Sequence, residues 1–190
     1  MSNLTLIIPA KFEAESLPVF LEELKKHDHK KLVVLDENDS KTIEAIKNFE
    51  NVEILYQKQT GFGNALIEGI NFVKTELFCI INADGSMNPS ELDGMLNELN
   101  TKDQDIVFGS RYMENAGSDD DDFITLSGNY IFTLIGKIFF KLEISDILYT
   151  YLIGKTILVK NLDLQSKDFK FCIELPIKAK RKNLKCISFP

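Results

Sequence analysis

The chain has 190 residues, 44% of them hydrophobic and 27% charged, enough apolar material for one domain with a buried core. That composition excludes a disulfide-stapled mini-protein, and the net charge of −7 excludes a nucleic-acid binder, which needs a basic face for phosphates. The three cysteines, Cys79, Cys172 and Cys186, fit neither zinc knuckles nor a redox CxxC, so they read as reduced and mostly buried in a cytoplasmic protein.

At the N-terminus, the apolar stretch Leu4 to Ile8 is too short for a signal peptide and stops at Pro9. It reads instead as a buried strand, followed by Leu17, Phe20, Leu21 and Leu24 at helical spacing. Lys31 to Leu35 gives a second strand; Ser40 then stands as an N-cap, with Ile43, Ile46 and Phe49 on one helix face. Val52 to Tyr56 is a third strand, and Leu66, Ile70 and Val73 mark the helix after it. Leu77 to Ile81 is apolar throughout, as a central parallel strand covered on both faces should be. Asn88 caps the next helix, with Pro89 at its first position and Glu91 placed for a capping box. Asp105 to Ser110 supplies a fifth strand. This alternation predicts an α/β fold with a mainly parallel sheet.

Beyond Arg111 the pattern changes. Residues 113 to 122 form a polar loop with the run Asp119 to Asp122, read as an acidic loop. The apolar-rich stretch Leu126 to Leu142 predicts a long helix, as part of the core, as a homodimer face, or at a membrane surface with Lys137 and Lys141 on one side. No window reaches the roughly 18 to 20 apolar residues of a membrane span, so any membrane contact is peripheral, at the cytoplasmic face. A last helix, Phe171 to Lys182, is expected to break or kink near Pro176, and Leu184 to Phe189 closes the chain as a strand. The chain thus reads as one domain, 1–190, whose pattern divides it into 1–112 and 113–190.

In open parallel sheets ligands bind beyond the carboxyl ends of strands, so chemistry is expected at Pro9 to Glu13, Asp36 to Asp39, Asn82 to Ser86 and Gly109 to Tyr112. Asp84, at the tip of a buried strand, reads either as a turn residue or as an oxygen ligand for Mg²⁺ or Mn²⁺ against a diphosphate.

These segments, in this order, resemble the family 2 glycosyltransferases, especially the polyprenyl-phosphate sugar synthases. Ile8-Pro9-Ala10 with Glu13 is similar to the opening "IPAYNE" motif, and Val34-Leu35-Asp36-Glu37-Asn38 to the "VVDDGS" strand end. Thr60 to Leu66 with Gly69 looks like the "GKGAAL…G" loop and helix, and Asn82-Ala83-Asp84 with Asn88-Pro89 falls where the family has "DAD…DP". Gly109-Ser110-Arg111-Tyr112 matches "GSRY", and Glu174 with Lys178 to Lys180 resembles the "E…KA" helix.

The resemblance implies a GT-A fold and a metal-dependent hexosyltransferase that takes a UDP- or GDP-sugar to a glycan or a lipid phosphate. By the same resemblance, Pro9, Ala10, Glu13, Gly61, Gly63, Asn82 and Ala83 line the nucleotide pocket, Asp36 bonds the base, and Asp84 holds Mg²⁺ or Mn²⁺. Arg111 meets phosphate or braces the site, and Asp146 falls near an acid that relatives use beside the acceptor, which makes it the candidate base. The chain departs from the pattern at Asn82, which replaces an acid, and at 119–125, where basic residues are expected. A binding domain that kept the fold and lost turnover is therefore the second reading.

Other features read blandly. Gly61-Phe62-Gly63 lacks the third glycine of a dinucleotide fingerprint. His27 and His29 lie among lysines, which disfavour a metal, and read as a solvated loop. The Lys178 to Lys185 cluster reads as one solvated helix face.

Overall fold

The computed structural model describes residues 3–113 and 123–190, with backbone alone over 123–127. The apolar runs become strands β1 (Leu4–Pro9), β2 (Lys30–Leu35), β3 (Val52–Tyr56), β4 (Leu77–Ile80) and β5 (Ile106–Gly109), followed by β6 (Leu152–Lys155) and β7 (Cys186–Phe189). Between them run helices α1 (Ser16–Glu23), α2 (Ser40–Ile46), α3 (Phe62–Phe72), α4 (Leu92–Thr101), α5 (Phe123–Phe140), α6 (Thr156–Lys160) and α7 (Phe171–Arg181). Among the described residues the strands form one sheet in the order β3-β2-β1-β4-β6-β5-β7.

Every pairing is parallel except the two made by β6, which runs opposite to both β4 and β5. Strand alternation distributes the core over both faces. Leu6, Ile8, Cys79 and Ile81 face one layer with α1 and α4, while Ile7, Phe78 and Ile80 face the other with α3 and α7. Helix α3 lies close on this second face, because a Cβ at Gly69 would come within 2.7 Å of Ile7 Cγ2. After β1 the chain steps outward through β2 and β3 and then returns to place β4 on the other side of β1. That reversal opens a crevice at the carboxyl ends of β1 and β4.

Local details differ from the sequence reading in instructive ways. Asp39, not Ser40, caps α2, accepting from Thr42 N at 3.3 Å. Its second oxygen accepts from Phe12 N at 2.7 Å, so one buried carboxylate fixes both a helix start and the loop after β1. Asn88 does cap, but onto Ser90 N of a 3-10 turn, Pro89–Glu91, that leads into α4. Helix α7 continues through Pro176 without interruption. Strand β6 and helix α6 were not anticipated.

Helix α5 is neither a core helix nor a membrane span: among the described residues no helix is long and apolar enough to cross a membrane. It buries its small and polar side, Asn129, Thr133 and Gly136, and exposes Tyr130, Ile131, Phe132, Leu134, Ile135, Ile138 and Phe139. The inversion has local causes. Asn129 Nδ2 donates to the Tyr112 hydroxyl at 2.6 Å, Thr133 Oγ1 accepts from Ile147 N at 3.3 Å, and a Cβ at Gly136 would sit 3.1 Å from Ile147 Cδ1. The acidic run Asp119 to Asp122 lies outside the described residues.

Candidate active site

The carboxyl ends of β1, β2 and β4 open into a cleft of about 660 Å³. Pro9, Ala10, Glu13, Asp36, Gly61, Asn82, Ala83, Asp84 and Arg111 all line it, so residues spread over a hundred positions of sequence share one wall system. The parallel ladder does this positioning. It continues past the strand tips, with Ala10 N donating to Val34 O at 2.9 Å and Ile81 N to Ile7 O at 3.0 Å, which holds the three tips level.

On the β2 side, Asp36 Oδ1 accepts from the backbone N–H of Asn38 at 2.9 Å and from its side-chain amide at 2.8 Å. These two bonds, the backbone one foremost, hold its carboxyl below the usual range, while Oδ2 accepts from no described group. An ionised oxygen facing the cleft is therefore ready to accept an N–H from a ligand. Glu13 is held in turn: its carboxylate accepts from the Ser16 hydroxyl, and its N–H donates to Thr42 Oγ1 at 3.0 Å.

On the β4 side, Asp84 is exposed at the mouth and forms a tight turn, Oδ1 accepting from Ser86 N at 2.9 Å, with Gly85 at φ +76°. Two residues earlier, the side-chain oxygen of Asn82 is buried and has no hydrogen-bond partner among the described residues. An orphaned acceptor costs stability unless something supplies a positive charge or a donor. A divalent cation with oxygen ligands fits that need. Asp84 and Asn82 would hold Mg²⁺ or Mn²⁺ with one protein charge between them, the remaining ligands coming from diphosphate and water.

Gly61 and Gly63 both make room for a crossing segment of backbone. Gly61 lines the cleft at φ +133°, but Gly63 does not reach it. A Cβ at Gly63 would meet Ser166 O at 2.2 Å and Asp168 O at 2.5 Å, and one at Gly61 would meet Lys167 O at 2.3 Å. Both glycines let the 166–168 segment cross over the start of α3. That segment is strapped down by Glu174, whose carboxylate accepts from Gln165 N at 2.9 Å, Ser166 N at 2.7 Å and Lys178 Nζ at 2.8 Å. It delivers Phe169 to the cleft, stacked on Phe62 at 4.9 Å between centroids.

Asp146 is also placed differently from a base open to an acceptor. It is buried, does not line the cleft, and is gripped by Arg111, with Nε to Oδ2 at 2.8 Å and Nη2 to Oδ1 at 3.2 Å. With both oxygens engaged, it positions Arg111. The Arg111 guanidinium lies 4.9 Å from the ring centre of Tyr149, whose hydroxyl burial above all keeps protonated.

Lys11 and Thr60 line the cleft from within segments that the sequence marked, Tyr149 and Thr150 do so without having been given a role, and Leu148 and Phe169 were not singled out from sequence. The only signal was an aromatic among charges in Lys167-Asp168-Phe169-Lys170.

A family model described as "Glycosyl transferase family 2" matches residues 5–161. Over 107 residues the chain is 30% identical to an uncharacterized glycosyltransferase of Mycobacterium tuberculosis, covering 56% of this chain and 48% of that one. The chain thus spans about half the length of this curated relative. An uncharacterized protein of Methanocaldococcus jannaschii is 26% identical over 193 residues, covering 97% of this chain and 78% of that one. Among solved structures, glucosyl-3-phosphoglycerate synthase of Mycobacterium tuberculosis in complex with Mn²⁺, UDP and glucosyl-3-phosphoglycerate gives a TM-score of 0.74 at 11% identity, over 97% of this chain and 69% of that one. Mannosyl-3-phosphoglycerate synthase of Rubrobacter xylanophilus gives 0.72 at 14% identity, over 98% and 64%. At such identities the likeness is one of fold, the α/β arrangement of the GT-A glycosyltransferases.

Proposed function

The chain belongs to glycosyl transferase family 2, and we propose that it moves a sugar from a UDP- or GDP-sugar to a phosphate-bearing acceptor. The observation that carries this reading is the convergence of Asp36, Asn82, Asp84 and Arg111 on one cleft. Asp36 accepts from the ring N–H of the base, Pro9, Ala10, Glu13 and Ala83 shape the nucleoside pocket, and Gly61 keeps the phosphate side open. Asp84 and Asn82 would hold a divalent ion, which would supply counter-charge to the leaving diphosphate. Arg111, held by Asp146, meets the acceptor's phosphate; in a polyprenyl phosphate that group is itself the ionised nucleophile and needs little help from a base, whereas in 3-phosphoglycerate a hydroxyl attacks and must give up its proton.

Elements of 1–112 build the nucleotide side, and 113–190 contributes Leu148 to Thr150 and Phe169 on the acceptor side. The second reading, a domain that binds donor without turnover, is motivated by Asn82 standing where a second acid is expected.

Calorimetric titration with UDP and GDP, with and without Mn²⁺, tests the site. Asp84→Asn should remove the metal-dependent part of affinity, about tenfold or more, while Asn82→Asp should keep or strengthen it. An Asp84→Asn chain that still responds fully to Mn²⁺ would sink the assignment. Transfer assays against a polyprenyl phosphate and 3-phosphoglycerate then separate enzyme from binding domain.

We further propose that the acceptor is reached at a membrane surface, since α5 presents its apolar side outward with Lys137 and Lys141 exposed beside it. Co-sedimentation with anionic vesicles is the check. Equal recovery in the supernatant with and without vesicles refutes it, and a concentration-dependent dimer would then assign the face to a second copy.

A further inference from the structure

Outside the cleft, the turn between α1 and β2 brings two histidines together with a carboxylate from far along the chain. His27, His29 and Asp93 each offer one ligand atom, and these atoms lie within 4.8 Å of one another. The imidazoles stack with centroids 6.2 Å apart and planes 17° from parallel, and both are half-buried. Asp93 comes from the first turn of α4, so the group bridges two separate elements.

Asp93 brings negative charge to the two imidazoles, and Lys31 Nζ donates to His27 O at 2.9 Å, which engages its cation with a backbone carbonyl beside them.

From this geometry we infer that His27, His29 and Asp93 form a second cation site, separate from the cleft, for a borderline divalent transition metal of the zinc type. Two nitrogens and one carboxylate oxygen suit Zn²⁺, whereas Mg²⁺ and Ca²⁺ take oxygen ligands. Three protein ligands leave the fourth tetrahedral position to water, and modest side-chain rotation brings the donors to the bond lengths of about 2.0–2.2 Å that zinc requires. The site lies at the start of β2, whereas the cleft is at its end, about 20 Å away at the rise of a six-residue strand. Occupancy here is therefore independent of the nucleotide, and it ties the α1–β2 turn to α4.

The test uses the full chain without a histidine tag and carrying Asp84→Asn, so that the cleft carboxylate takes no part. Calorimetric titration with Zn²⁺ and optical titration with Co²⁺ should show uptake of one equivalent. His27→Ala, His29→Ala and Asp93→Asn should each weaken it about tenfold or more, with unchanged circular dichroism. Asp28→Asn, at a neighbouring carboxylate outside the set, should retain binding. Uptake that survives unaltered in His29→Ala and Asp93→Asn, or no uptake at about 1 mM metal, overturns the site.

Discussion

Arg111 and Asp146, 35 positions apart, close a two-pronged ion pair beneath the cleft wall, with Nε to Oδ2 at 2.8 Å and Nη2 to Oδ1 at 3.2 Å. The aspartate is fully buried and the arginine mostly so. Removing one partner of such a pair leaves a buried charge uncompensated. Asp146→Ala is therefore expected to lower stability by about 3–5 kcal/mol in urea unfolding. An Asp146→Ala chain as stable as the parent would show that the pair does not carry this load.

Asp36 presents one oxygen to Asn38 and the other to the cleft. Asp36→Ala should weaken UDP or GDP binding about tenfold or more, since a charged acceptor for the base is lost. The loss should be the same with and without Mn²⁺, because its proposed partner is the base. A loss confined to titrations containing Mn²⁺ would move Asp36 to the metal.

Gly63→Ala drives a methyl group into two backbone carbonyls, at 2.2 and 2.5 Å, which cannot rotate aside. The expected cost is about 1–3 kcal/mol, with loss of donor affinity as the 166–168 segment and Phe169 shift. Gly128→Ala in α5 is the matched control, since a Cβ there meets nothing within 4 Å. It should be neutral or stabilising by up to about 1 kcal/mol.

Glu174 gives a pH dependence whose sign is fixed by its partners. Burial pushes its carboxyl up, but Lys178 and the amides of Ser166 and Gln165 together outweigh it, and the net direction is down. A folded-state value below the unfolded one contributes stability above the unfolded value of about 4.3. That contribution is lost as pH falls through the folded value. Glu174→Gln should thus cost about 1–3 kcal/mol at neutral pH, and the gap from the parent should shrink on acidification below about pH 4.3. A gap that stays constant down to the acid limit would contradict the pairing.

The parallel half was legible because its strands are short, mostly apolar runs separated by helical patterns, and β2 and β4 end at Asp36 and at Asn82 to Asp84; both properties are local. Leu152 to Lys155 escaped notice because four residues carry no period, and their strand character comes from β4 and β5 on either side. The Arg111 partner of Asp146, the carbonyls that crowd Gly63 and the placing of Asp93 beside His29 are all products of long-range packing. Residue type alone assigned those positions to ligand contact or to solvent. For α5 the sequence left core, dimer face and membrane surface open; three small or polar residues won the buried side through hydrogen bonds and close approach, against the usual preference for apolar burial.

The antiparallel strand β6 also has a consequence for how the polypeptide assembles. The outer edge of β4 is covered by a strand that follows roughly 70 residues later, Ile80 pairing with Leu152. During synthesis, β1, β2 and β3 emerge in quick succession and pair as neighbours, whereas β1 waits about 73 residues for β4, and β4 a similar span for β6. The bare flank of β4, beside the cleft carboxylate, must wait until residue 155 has been made. Non-local closure of this kind slows folding and leaves an edge open to intermolecular pairing. Nascent chains released before that point would carry Asp36 and Asp84 but an unfinished sheet, so aggregation during expression should be most severe for truncations that end between β5 and β6.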